Sequence, residues 1–247
     1  MKRKVHIVLP AYNEENNLGK LLDSIHETLV DAGLSYQVIV VDDGSSDRTG
    51  EIARERSASM PIMIKRHEVN LGLGATIRDG LYAAAEQAAA RDIIITMDAD
   101  DTHTPGLILR MVRMISEGHD IVIASRYQPG ARTIGVPVIR RFLSFAASTL
   151  FRTLLPIPGV KDFTCGYRAY RSEVIKDAIA RYGESFLDQD GFQCMVDILL
   201  KLRKMDFIFG EVPIILRYDF KEGASKMNLF LTSRKTIQLI FKRMIGA

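Results

Sequence analysis

Short apolar runs alternate with longer segments of helical period through the first half of the chain. Residues 5–9, 36–41, 62–64, 93–97 and 121–124 are such runs, rich in Val and Ile and bounded by turn-forming residues. Runs of that length and composition read as buried strands. Between the first two, Leu18, Leu21, Leu22, Ile25 and Leu29 recur at helical spacing, which predicts an amphipathic helix. Further helices are expected from about residue 47, over an Ala-rich stretch at 75–90, and over 105–117. This alternation predicts an α/β fold, a mostly parallel sheet with helices on both faces.

After residue 130 the pattern changes. Residues 136–155 are expected to form one or two short helices, apolar on most faces with arginines interspersed. An extended segment at 162–170, helices at 172–181 and 190–204, and strands at 207–212 and 214–218 follow. Residues 228–245 read as an amphipathic helix. No internal repeat or low-complexity linker intervenes, so the second half is expected to continue the first.

Sheets of this kind bind ligands at the carboxyl ends of their strands, and the polar clusters fall there. They are Pro10-Ala11-Tyr12-Asn13-Glu14, Asp42-Asp43-Gly44-Ser45-Ser46-Asp47, Asp98-Ala99-Asp100 and Ser125-Arg126-Tyr127. Asp98 and Asp100 close the apolar run at 93–97. Two carboxylates leaving the core together can converge on a hard divalent cation that shares its shell with substrate phosphates. The alternative is an acidic turn that caps the next helix. Gly72 and Gly74 suggest a phosphate loop, but Gly-x-Gly-x-x-Ile lacks the third glycine of a dinucleotide fingerprint and opens the third helix, not the first. Close packing of backbone against a donor is the more economical reading, and a dehydrogenase is disfavoured.

Composition adds little except through charge. With 247 residues, 47% apolar and 26% charged, the chain is long enough for one sizeable core. Net charge is only +3, but between Arg132 and Arg171 seven basic residues face one acid, Asp162, and from Lys221 onward six face only Glu222. Such local excess points to an anionic partner: phosphate, an acidic membrane surface or nucleic acid. Cys165 and Cys194 form no pattern, which suggests a reducing compartment. The basic start, residues 1–4, precedes an apolar run too short for a secretory leader. No run reaches the ~18–20 apolar residues of a membrane-spanning helix; the nearest, 142–158, is interrupted by Arg152 and Pro156.

The four clusters, taken in order with Asn70-Leu71-Gly72-Leu73-Gly74, resemble the motifs of family 2 glycosyltransferases. The similarity is greatest to the branch containing dolichyl-phosphate mannose synthase and bacterial polyprenyl-phosphate glycosyltransferases. Asp162-Phe163-Thr164-Cys165-Gly166-Tyr167-Arg168, Glu211-Val212-Pro213-Ile214 and Gly223-Ala224-Ser225-Lys226-Met227 extend it over almost the whole chain. The resemblance implies a Rossmann-like nucleotide-diphospho-sugar transferase fold. It divides the chain into a catalytic domain at 1–227, with a nucleotide-sugar half at 1–130 and an acceptor half at 131–227, and a terminal amphipathic helix at 228–247.

Roles follow from the same resemblance. Asp98, Asp100 and Thr102 would hold Mg2+ or Mn2+ at the donor diphosphate, with Asp101 and His103 as lesser candidates. Asp43 would read the donor base, and Pro10, Tyr12, Glu14 and Val41 would complete the base and ribose pocket; Ala99, Arg126 and Lys226 would also meet the donor. Asp42 is expected to cap the turn that Gly44 permits. Arg126, Arg140 and Ser144 resemble acceptor-phosphate contacts, and Arg141 adds a donor of the same type. Asp100, Arg126, Arg140 and Ser144 are therefore the expected catalytic set. A phosphate acceptor is already ionised near neutral pH, so one displacement with inversion suffices; Asp188 and Asp190 would be bases only for an alcohol acceptor, and helix capping is their other reading.

The expected reaction is hexose transfer to dolichyl or another polyprenyl phosphate. GDP-mannose is favoured as donor and UDP-glucose comes second; Phe220 stands where the synthases carry an arginine, flanked by Arg217 and Lys221, which weakens a GDP-mannose assignment. Saccharide-acceptor relatives use a Gln-x-x-Arg-Trp motif, and this chain has no tryptophan. A nucleotide-binding regulatory subunit is the non-enzymatic alternative, which Asp98, Asp100 and Lys226 argue against. Nucleic acid is not an expected partner. A lipid acceptor implies peripheral attachment at the cytoplasmic face of a membrane, through the 136–155 and terminal helices, or through a separate membrane-anchor subunit.

Overall fold

The computed structural model describes residues 3–220. Lys226 and the expected terminal helix lie outside the described residues. A seven-stranded sheet forms the centre, in the order β3-β2-β1-β4-β7-β5-β8. Its strands are β1 (Lys4–Ala11), β2 (Ser35–Asp42), β3 (Ile62–Arg66), β4 (Ile93–Thr96), β5 (Ile121–Ser125), β7 (Arg168–Arg171) and β8 (Phe209–Pro213). All pairings are parallel except those of β7, which runs antiparallel to both β4 and β5. β6 (Arg132–Ile134) and β9 (Ile215–Arg217) form a separate parallel pair.

Every residue of β4 and β5 is buried, so both faces of the sheet are covered. That is why these strands read as unbroken apolar runs and not as alternating ones. Seven helices accompany the sheet among the described residues: α1 (Leu18–Asp31), α2 (Thr49–Ser57), α3 (Leu73–Gln87), α4 (Leu107–Ser116), α5 (Val138–Leu154), α6 (Ser172–Tyr182) and α7 (Cys194–Leu202). The leucine and isoleucine stripe of α1 is fully buried. α3 packs on β1 and β2, and α4 on β5 and β7.

Residues 138–154 form one continuous helix, the single-helix form of the two arrangements expected there. Two features depart from the pattern-based reading. β7 is a strand of the central sheet, buried over three of its four residues; its arginines at both ends hide it from a search for apolar runs. α7 begins only at Cys194, and no side chain caps it, so neither Asp188 nor Asp190 serves as its cap.

β7 and β8 come from beyond residue 131 yet pair with β4 and β5. The described part of the second half thus completes the sheet of the first. Register aligns Ala11 with Asp42 and Asp42 with Arg66, which brings the carboxyl ends of β1, β2 and β3 to one edge.

Candidate active site

Beyond β4 the chain turns sharply. Asp101 adopts φ 58°, and the amide and hydroxyl of Thr102 both donate to Asp100 Oδ1, at 3.2 and 2.6 Å. Thr102 is buried, so its hydroxyl supports Asp100 from below. His103 is also buried and stacks on Tyr167 with ring centroids 5.0 Å apart. Its Nδ1 accepts the Asp98 amide at 3.1 Å, which leaves the ring proton on Nε2, 3.7 Å from Asp98 Oδ2. With Nδ1 taken up by backbone, His103 orients Asp98. The Asp101 carboxyl is pushed up by burial, and further by Asp100, against the opposing charge of Lys20.

The loop is also tied from outside. Thr102 O accepts the Arg217 amide at 3.0 Å, and His103 bridges to Leu216. β9 therefore holds the acidic turn in place. Asp98 keeps 43% of its side chain exposed, while no group of three or more His, Cys, Asp or Glu placed to hold a metal ion is found among the described residues. Two carboxylates at a strand end, without a protein cage, fit Mg2+ or Mn2+ shared with phosphate oxygens.

On the β2 side, Asp42 accepts the Ser45 amide at 3.0 Å and caps the turn. Gly44 has φ 71°, and a Cβ there would lie 2.6 Å from Val69 C; only glycine fits. Asp43 is 3% exposed. It accepts the amides of Leu71 and Gly72 at 2.9 and 2.8 Å, and meets His67 Nδ1 at 2.6 Å. His67 Nε2 reaches Asp79 of α3 at 3.0 Å. Three of the roughly four acceptor positions of this carboxylate are thus taken up inside the protein. A donor base could meet only what remains.

Glu14 is buried, with its carboxylate accepting Asn17 Nδ2 at 2.8 Å and its amide donating to Thr49 Oγ1 at 2.8 Å. These bonds anchor the start of α1. Pro10 and Tyr12 are half-buried at the end of β1. Val41 and Ala99 are buried in the core, so only their backbone could meet a ligand.

The β5 end carries the strongest electrostatic unit. Arg126 forks onto Asp162, Nε to Oδ2 at 2.8 Å and Nη2 to Oδ1 at 2.7 Å, and Nη2 also donates to Thr164 Oγ1 at 2.5 Å. Its Nη1 faces Ser144 Oγ of α5 at 3.5 Å. Burial alone would raise the Asp162 carboxyl, but the Arg126 charge and the hydrogen bonds from Arg126 and Thr164 outweigh it and hold it below the usual range. Arg126 is held above its own for the same reason, against burial. Glu211 of β8 accepts the Lys161 and Asp162 amides at 2.6 and 2.7 Å. Arg168 is wholly buried and donates to the carbonyls of Cys165, Phe163 and Met195 at 2.9, 2.9 and 2.6 Å. It fixes the loop that presents Asp162.

α5 is built inside out for a surface helix. Ser148 and Phe151 are buried, whereas Val138, Ile139, Phe142 and Phe145 are 78%, 62%, 64% and 54% exposed. Arg141 is exposed on the same helix. No helix among the described residues is long and apolar enough to cross a membrane.

Arg217 pairs with Asp219 at 2.9 Å and lies 3.7 Å from the centroid of the Phe220 ring, so it is engaged next to the position that lacks an arginine. Asp188 lies against Lys201 at 2.9 Å. Burial would raise its carboxyl, yet hydrogen bonds from Lys201 and Gln189 and the Lys201 charge outweigh burial and lower it to about 2. The glycines of the 70–74 motif do not face an open donor site. A Cβ on Gly74 would sit 1.7 Å from Gln189 O, and one on Gly72 would sit 2.9 Å from Asp190 O. Close backbone packing is present, but against this chain's own 189–190 segment.

His67, Asp79 and Lys201 play parts that sequence reading did not assign. Asp162, Arg168 and Glu211 were legible only as members of motifs. Each has at least one partner 12 or more residues distant, and no local pattern marks such pairs.

The family described as glycosyl transferase family 2 matches residues 6–178. The dolichol-phosphate mannosyltransferase of Pyrococcus furiosus is 35% identical over 213 residues, covering 84% of this chain and 56% of that protein. The chain thus spans little more than half of that relative's length. The polyprenol monophosphomannose synthase of Mycolicibacterium smegmatis is 33% identical over 224 residues, covering 90% and 80%. Among solved structures, glucosyl-3-phosphoglycerate synthase of Mycobacterium tuberculosis, bound to Mn2+, UDP and glucosyl-3-phosphoglycerate, superposes with a TM-score of 0.68 at 23% identity, covering 98% of this chain and 80% of that one. That similarity bears on the fold. Motif order, sheet topology and sequence identity converge: the chain belongs to glycosyl transferase family 2 and is a glycosyltransferase.

Proposed function

We propose that this chain transfers mannose from GDP-mannose to the phosphate of a polyprenyl lipid, with inversion at the anomeric carbon, at the cytoplasmic face of a membrane. The observation that carries this reading is α5. One face of that helix brings Ser144 to the Arg126 guanidinium, and the other presents exposed apolar side chains. A guanidinium beside an exposed apolar surface suits an acceptor that is both anionic and lipid-borne. Relatives named for mannosyl transfer to dolichol phosphate or polyprenol support it.

Asp98 and Asp100 would hold Mg2+ or Mn2+, whose chemistry when bound is charge compensation at the departing nucleoside diphosphate. Thr102 and His103 keep the two carboxylates oriented. The residues named for the donor, Pro10, Tyr12, Glu14, Val41, Asp43 and Ala99, ring the ends of β1, β2 and β4, and Lys226 is assigned to the diphosphate from sequence. Arg126, Ser144 and Arg140 would neutralise and aim the acceptor phosphate. The attacking oxygen needs no proton removed near neutral pH, which agrees with an Asp188 carboxylate already engaged by Lys201 at 2.9 Å.

The test is transfer from a panel of labelled sugar nucleotides to polyprenyl phosphate with Mg2+ or Mn2+, and the product anomer read by NMR. GDP-mannose should give the inverted product. Transfer only from UDP-glucose would move the donor assignment, as Phe220 at the arginine position allows. Transfer to an alcohol, or no transfer to lipid phosphate from any donor, would overturn the proposal.

A further inference from the structure

The segment at 188–191 lies across the start of α3. Gly74 N donates to Asp190 O at 2.8 Å, and the carbonyls of Gln189 and Asp190 occupy the space that side chains on residues 74 and 72 would need. The amides just before, Leu71 and Gly72, donate to Asp43. Residues 71–74 are therefore gripped twice, by Asp43 from the end of β2 and by the 188–191 segment from the second half of the chain.

The far side of that segment is anchored in the interior. Asp188 Oδ1 accepts Lys201 Nζ at 2.9 Å. Lys201 is 6% exposed on its side chain, pairs with buried Asp197 at 2.6 Å, and donates to the carbonyls of Phe186, at 3.0 Å, and Ser185. Gly191 O accepts the Cys194 amide at 2.9 Å, where α7 begins. A buried ammonium with four acceptors holds one geometry, so the segment has a fixed foot.

We propose that Asp188 and Lys201 are positioning residues for the donor pocket. They set the 188–191 segment, whose carbonyls fix residues 71–74 and so the loop that Asp43 grips. The inference rests on the reading of that edge as the nucleotide site. It assigns Asp188 a role through its acceptor oxygen and not through a proton.

The two roles separate by substitution. Asp188→Asn keeps an oxygen that Lys201 can donate to, whereas Asp188→Ala removes it; the side chain is 37% exposed, so both variants should fold. Calorimetric titration of GDP, with UDP alongside, in the presence of Mg2+ should show Asp188→Ala weakened by about fivefold or more. Asp188→Asn should bind within about twofold of the parent. Gly74→Ala, which replaces no residue of the Lys201 cluster and displaces the Gln189 carbonyl directly, should weaken binding at least as much as Asp188→Ala. Thermal melts identify any variant that has lost its fold.

Equal nucleotide affinity in the parent, Asp188→Ala and Gly74→Ala would overturn this inference alone. Loss of transfer in both Asp188 variants with nucleotide affinity unchanged would also overturn it, and would restore Asp188 as a base for an alcohol acceptor. A parent protein that binds neither nucleotide would overturn the donor reading and this inference with it.

Discussion

On the proposed mechanism Asp100 must supply a charge, and not merely a polar group. Its carboxylate is preorganised by two bonds from Thr102, so Asp100→Asn keeps much of the turn's geometry while removing the charge. Transfer should fall by at least ~10²-fold, comparable to removing one strong electrostatic stabiliser, with an unchanged circular-dichroism spectrum. Full activity in that variant, or in excess chelator, would rule out a metal-dependent mechanism. Ser144→Ala should raise the apparent KM for lipid phosphate and leave calorimetric GDP affinity nearly unchanged. A large loss of GDP affinity would place Ser144 on the donor side.

Asp162 titrates in a sense that can be worked out. Its carboxyl is lowered in the folded protein, so the unfolded chain takes up its proton first as pH falls. The stabilisation is present in full above about pH 4, the unfolded carboxylate value, and is lost as pH falls through the lower folded value. Asp162→Asn should therefore destabilise the protein by about 3–5 kcal/mol near neutral pH, because Arg126 stays buried without its partner. The deficit should shrink in acid. Melting temperatures across a pH series check both the size and the direction.

At the scale of elements, α5 separates two demands that most surface helices combine. Its inner face packs through Ser148 and Phe151, and its outer face contributes little to the core. Ile139→Asp with Phe142→Asp should thus leave the melting temperature unchanged or slightly raised, while lowering binding to liposomes that carry polyprenyl phosphate. A drop of more than a few degrees would mean that this face packs against protein instead. The 188–191 segment makes the complementary case, since its position depends on α7 and α3 together and on neither alone.

For the whole molecule, attachment through α5, as proposed, should be reversible. Apolar burial of α5 is aided by roughly 1 kcal/mol for each Lys or Arg near an anionic surface, and salt screens that part with a Debye length of ~10 Å at 0.1 M. Co-sedimentation with anionic liposomes is expected at low salt, reduced at high salt and reduced by deleting residues 228–247, whose sequence carries Arg234, Lys235, Lys242 and Arg243. Equal binding to neutral liposomes would contradict this. Binding only in the presence of a second protein would identify a membrane-anchor subunit.

The division between sequence and tertiary structure follows from range. Residues 5–9, 36–41, 93–97 and 121–124 announced themselves as strands because a sheet covered on both faces demands apolar side chains at consecutive positions. The stripe of α1 did so because one face of a helix repeats every three to four residues. Polar clusters at strand ends marked the functional edge for the same local reason. Strand β7 was legible only as extended chain, since its place between β4 and β5 and its reversed direction depend on partners 45 to 78 residues away. The grip of His67 on Asp43, of Asp162 on Arg126, and of Lys201 on Asp188 likewise joins residues that share no local period. Gly74 is the clearest instance: its sequence reading was close packing of backbone against a donor, and only the folded chain showed that what approaches it is the Gln189 carbonyl.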